Sequence, residues 1–196
     1  MKKKGLALLL ALTLVVVGVA SGTLAWLTAK SDTVVNTFTT SNIEVKLEET
    51  KGEDVEGGKE FKMIPGYTID KDPKAWVVEG SEDCYLFVKV TAENNTYVSG
   101  GSTVNYLSYK IADGWTLVPG QTDVYYRTVT STEMGDTHKF SVLENDQVTV
   151  SGDVTSAMMT AAANAQPTLT VTAYASQLHK NAGETFTAAE AWANIK

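Results

Sequence analysis

The chain has 196 residues and a formal net charge of −7. That length suits one domain able to bury a core without covalent staples, and the acidic balance disfavours nucleic acid and anionic lipid as partners. A single cysteine, Cys84, excludes an intrachain disulfide and with it the disulfide-scaffold class.

The first segment reads as an export signal. Lys2, Lys3 and Lys4 form a basic start, residues 5–20 are almost wholly apolar, and Thr23 and Ala25 supply the small pair a signal peptidase needs. The run is shorter than the roughly 20 apolar residues of a membrane span. Cleavage between Ala25 and Trp26 is expected, with a retained anchor as the alternative. Cleavage leaves 171 of the 196 residues, and loss of three lysines takes the charge from −7 to −10.

Residues 26–39 are a short, partly apolar stretch carrying Trp26, Leu27, Val34, Val35 and Phe38. Its second half, 33–39, reads as a strand. Residues 43–49 follow as another, where Ile43, Val45 and Leu47 alternate with Glu44, Lys46 and Glu48. Residues 50–60 are polar and glycine-containing and read as a loop. Pro65-Gly66 marks a turn. Pro73 argues against a central strand through 68–72. Strands are expected at 74–78 and, most strongly, at 84–92, where Tyr85, Leu86, Phe87, Val88 and Val90 cluster.

Residues 94–101 read as a second polar loop, whose Asn94-Asn95-Thr96 sequon is taken as coincidental. Strands are expected at 106–111 and 115–118, with Asp113-Gly114 as a hairpin signal between them. Pro119-Gly120 marks another turn. Strands at 124–129, 139–143 and 147–150 follow. Residues 154–165 are rich in helix formers and end before Pro167, so a short helix is expected. Residues 168–175 form a β-branched strand. Thr187-Ala188-Ala189-Glu190 fits a capping box that opens a last helix with Ala191, Trp192 and Ile195 on one face. Many short strands with regular turns predict an all-β sandwich with two short helices.

Several of these stretches carry a resemblance. Gly22, Thr23, Ala25, Trp26, Asp32, Asn36, Thr37, Phe38, Ile43, Val45 and Leu47 follow the order of an N-terminal signature. The Ile64-Pro65-Gly66 turn, Asp72-Pro73, the aromatic strand after 84, and the segments 173–177 and 188–192 extend it. The chain resembles the camelysin/TasA family, secreted proteins of Gram-positive bacteria processed by a SipW-type signal peptidase. The resemblance implies a jelly-roll-like sandwich of two antiparallel sheets and, for the fibre-forming members, assembly into biofilm-matrix filaments. It also implies metalloprotease activity for part of the family.

The residues do not supply chemistry for that last activity. His138 and His179 are the only histidines, no His-Glu-x-x-His is present, and nothing resembles Gly-x-Ser-x-Gly. No catalytic, metal or cofactor residue is assigned, and the expectation is a non-enzyme. The carboxylate pairs Glu48-Glu49, Glu53-Asp54, Glu82-Asp83 and Glu144 with Asp146 read as solvated charges. Cys84 lies in an apolar run and reads as a buried thiol, with an intermolecular disulfide as the alternative.

The function expected first is a secreted structural protein of the extracellular matrix or cell surface. Its freed arm 26–39 would donate a strand to the sheet edge of the next subunit, and such a head-to-tail contact need not close. Partners would be further copies, other matrix proteins or polysaccharide, and no membrane after cleavage. The alternative is an adhesin-like binding module using Trp76, Trp115, Tyr125 and Tyr126, or the two loops 50–60 and 94–101. A secreted hydrolase is the third and weakest expectation.

Overall fold

The computed structural model of the chain describes residues 42–195, which fall within one compact unit, Thr40–Lys196. The expected strand 33–39 lies outside the described residues. The described part is an all-β sandwich with two short helices.

The clearest element is β6 (Cys84–Glu93), whose apolar run is continuous because both faces are covered. Leu86, Val88 and Val90 point into the main core between the sheets, while Phe87 points outward beneath the last helix. β6 pairs antiparallel with β11 (Val124–Val129) on one side and with β14 (Thr168–Gln177) on the other. β10 (Thr116–Leu117) completes this sheet beside β11.

The second sheet is built on a broken strand. β4 (Thr68–Asp70) and β5 (Lys74–Val77) lie on one line, interrupted at Lys71-Asp72-Pro73. Pro73 cannot donate to a ladder, which is why pairing stops there. The facing strand breaks at the same level, between β12 (Phe140–Ser141) and β13 (Gln147–Val150), where Glu144–Asp146 make a single 3-10 turn. Val142 N–H donates to Pro73 O and Lys71 N–H to Asp146 O, so the two broken strands stay side by side through the gap. β1 (Val45–Glu48) flanks β5. β9 (Leu107–Ser108) and a bridge from Ile111 to Leu143 flank the other side.

The chain passes between the two sheets after β5, β6, β9, β11 and β13. Thus β6 is sandwiched by β11 and β14, and the β12–β13 line by β4–β5 and β9. These non-sequential neighbours are the Greek-key pairings of a jelly roll. In place of the expected hairpin, Asp113-Gly114 marks one of the crossings. Ile111 pairs with Leu143 in one sheet, whereas Thr116 and Leu117 pair with Tyr126 and Tyr125 in the other. The hairpin turn lies at Pro119-Gly120, where Gln121 N–H donates to Val118 O and Gly120 takes φ +81°.

The first expected loop holds a hairpin, and the second begins one that runs on to Asn105. β2 (Glu53–Val55) pairs with β3 (Gly58–Glu60), joined across the ladder by Lys59 and Asp54 at 2.5 Å. β7 (Thr96–Ser99) pairs with β8 (Ser102–Asn105). Gly100 and Gly101 have φ of +58° and +79°, the left-handed pair that a two-residue hairpin turn requires. A two-stranded pair, β15 (His179–Asn181) with β16 (Glu184–Thr185), precedes the last helix.

Both expected helices are present. In α1 (Ser156–Asn164), the Thr155 hydroxyl accepts from Met158 N–H, and Met158 and Ala162 are buried against Tyr106, Val150 and Val154. In α2 (Ala188–Ala193) the capping box is complete. Thr187 Oγ1 accepts from Glu190 N–H at 3.3 Å, and Thr187 N–H donates back to Glu190 Oε2 at 2.8 Å. Its buried Ala191, with Trp192 and Ile195, covers Phe87; the Phe87 and Trp192 ring centroids are 5.4 Å apart.

Candidate functional site

The most distinctive feature of the sandwich is the outer edge of β14. All ten of its residues pair with β6 on one side, and among the described residues no strand pairs with the other. Strands of that length are usually covered or blunted at a sheet edge. The other edge of the same sheet, β10, is only two residues long.

The side chains of β14 register this lack of cover. Leu86, Val88 and Val90 of β6 are 0 to 2 % exposed. Their direct neighbours Ala175, Ala173 and Val171, on the same inner face, are only half-buried. Beside the first half of β14 runs an open groove of about 930 Å³. Its apolar lining includes Ile69, Val148, Met159, Leu169 and Val171, and one wall is the β2–β3 hairpin. Cα atoms of β1 approach those of β14 within 8 Å, so the groove borders the seam where the two sheets come together.

The hairpin wall is fastened by a polar clamp at the break between β4 and β5. Asp72, 6 % exposed, accepts from Thr50 N–H at 2.9 Å, Thr50 Oγ1 at 2.6 Å and Lys51 N–H at 2.8 Å. Burial pushes its carboxyl pKa up, but the hydrogen bonds from Thr50 and Lys51 outweigh it and the net shift is downward. Beside it Lys71 Nζ lies 2.9 Å from Glu49 Oε1 and 5.1 Å from the centre of the Phe61 ring. The clamp was not apparent in the sequence because its partners are 21 and 22 residues apart.

The residues expected at the cleavage point and in the donated strand, Ala25, Trp26, Leu27, Val34, Val35 and Phe38, lie outside the described residues. His138 sits in the turn after Gly135, its Nδ1 2.9 Å from Met134 O, while His179 lies on β15. The carboxylate pairs are largely engaged in ion pairs: Glu48 with Lys139, Glu49 with Lys71, Asp54 with Lys59, Glu144 with Lys110 and Asp146 with Lys74. Asp83 instead accepts from Ser131 N–H.

The four aromatics do not share a face. Trp76 donates from Nε1 to Asp136 under Lys139. Trp115 and Tyr125 pack on the main core, and Tyr126 packs in the α2 cluster. Cys84 is fully buried, and its thiol pKa is pushed up to about 12 by burial and by Asp83. Among the described residues no helix is long and apolar enough to cross a membrane.

Comparison with protein-family models, with curated proteins and with solved structures finds no match.

Proposed function

We propose that this protein is a secreted structural subunit of extracellular-matrix fibres, in which the N-terminal arm of one copy adds a strand to β14 of the next. The observation that carries the reading is the ten-residue ladder edge of β14, whose inner side chains are less buried than their β6 partners. An extended segment placed there gains main-chain hydrogen bonds along the edge and buries apolar side chains in the groove. Residues 26–39 are suited to the role, with Val34, Val35 and Phe38 available for pockets and Thr and Asn residues between. Because donor and acceptor surfaces differ, the contact propagates and does not close on itself. The resemblance to the camelysin/TasA family supports the same reading, together with export and leader removal.

The test compares protein spanning residues 26–196 with protein lacking residues 26–39, by sedimentation and electron microscopy at rising concentration. The longer form is expected to grow filaments and the shorter to stay monomeric. A free peptide of residues 26–39 should cap growth when added in excess. Equal assembly by both forms would overturn the donor-strand reading.

A further inference from the structure

Arg127 is the chain's one arginine among 16 basic side chains, and it occupies an unusual place. It lies on β11 between Tyr125 and Val129, both of which pack into the main core. Its guanidinium carbon is 3.5 Å from the centre of the Phe140 ring and 5.5 Å from that of Trp115. Trp115 is itself held by an Nε1 hydrogen bond to Ser141 O at 2.8 Å. Two aromatic rings therefore flank a planar cation, a use for which lysine is a poor substitute.

Among the described residues Arg127 lacks a counter-charge. Every lysine of the described residues whose side chain is less than a third exposed, namely Lys59, Lys71, Lys139 and Lys180, has a carboxylate within 4 Å. Arg127 has no such acid among the described residues, and its buried Nε has no hydrogen-bond partner. Glu133 acts on it from a distance, but Glu133 Oε2 accepts from Thr130 N–H and Oγ1. A desolvated charge without a partner is costly. The edge of the guanidinium is nonetheless reachable. Its Nη atoms sit beside Gly114, where a Cβ would lie 3.4 Å from Nη2, and Gly114 is exposed.

We infer that the Arg127–Phe140–Trp115 corner is a binding site for one carboxylate that approaches over Gly114. A single guanidinium edge offers one pair of parallel N–H donors, the geometry of a planar carboxylate. A phosphate dianion fits poorly, because one cation already acted on by Glu133 cannot balance two negative charges. The carboxylate arrives either as a free small anion or on a second copy of this acidic chain.

The sole arginine makes the test direct, since ¹⁵N-labelled protein gives one arginine Nε–Hε signal. It is followed against acetate, against chloride at matched ionic strength, and against protein concentration without acetate. A saturable shift with acetate but not chloride supports a site for free carboxylate. A shift that grows with protein concentration supports a carboxylate from a second copy. No shift in either arm overturns the inference, whatever happens to filament growth. As a second readout, the Trp115 indole signal is titrated in Arg127→Lys, which keeps the charge and loses the fork; acetate affinity there is expected to fall about tenfold. Unchanged affinity in that variant would equally refute the site.

Discussion

Replacing Asp72 with alanine tests whether the clamp at the β4–β5 break holds the groove wall in place. Three donors converge on this carboxylate, Thr50 N–H, Thr50 Oγ1 and Lys51 N–H. A hydrogen bond to a charged group contributes about 1.5–3 kcal/mol. The three cannot simply be added, because Thr50 and Lys51 are exposed and water takes over their amides once the carboxylate is gone. The loss expected for Asp72→Ala is therefore about 2 kcal/mol at neutral pH. Asp72→Asn keeps an acceptor for both amides and loses only the charge, so about 1 kcal/mol is expected there.

The pH dependence separates this account from simple loss of packing. The folded-state pKa of Asp72 lies below its ordinary value of 3.8. The contribution is thus fully present above that value and is lost as pH falls through the folded-state pKa. Urea unfolding of wild type and Asp72→Ala at pH 7 and again below pH 3 measures it. The gap between them should narrow at low pH. A gap below about 0.5 kcal/mol at pH 7 would place the variant among ordinary surface changes and refute the clamp, as would a gap independent of pH. Hydrogen exchange in β2 and β3 should rise in the variant, since the clamp anchors the chain just ahead of that hairpin.

Three further outcomes follow from the packing. Phe87→Ala removes the side chain that joins β6 to α2 and should cost about 3–5 kcal/mol in urea unfolding; a loss under about 1 kcal/mol would mean that α2 does not rest on it. Cys84, with its thiol pushed up to about 12, should resist a thiol reagent at pH 8 in the native protein and react once unfolded; rapid native labelling would contradict its burial. Val171→Lys puts a charge on the groove floor beside the β14 edge. It should leave a folded monomer and abolish filament growth, and filaments of normal yield from this variant would remove β14 as the acceptor.

Much of the architecture was legible because local signals agreed. The run Tyr85-Leu86-Phe87-Val88 announced a strand, and the structure explains its continuous hydrophobicity by cover on both faces. The Thr187–Glu190 capping box and the Pro65-Gly66 turn carried their own geometry, and both are present as read. The failures have a common cause. Asp113-Gly114 is a legitimate turn signal, but whether a turn joins paired strands or hands the chain between sheets depends on partners far away in sequence. The β7–β8 hairpin had a local cue in Gly100-Gly101, outweighed by the surrounding polar residues. Asp72 and Arg127 gave no cue at all. Asp72 follows Lys71 like any surface pair, and the place of Arg127 depends on Trp115, just ahead of β10, and on Phe140 of β12.

The strand order itself gives the last reason to look at β14. In a complete jelly roll the first strand lies beside the last in one sheet. Here β1 pairs with β5 of the opposite sheet, and β14 holds the terminal place with β6 as its one described partner. Among the described residues, the position next to β14 is therefore where the topology leaves room for a further strand. An extended segment there would extend the β10–β11–β6–β14 sheet and cover Val171, Ala173 and Ala175. Whether that segment comes from the same molecule or from another is decided by linker reach and concentration, and the backbone pairing is alike in both cases. A donor fixed within its own subunit gives a monomer whose edge resists added peptide of residues 26–39. A donor shared between subunits gives filaments that the same peptide shortens in proportion to its excess.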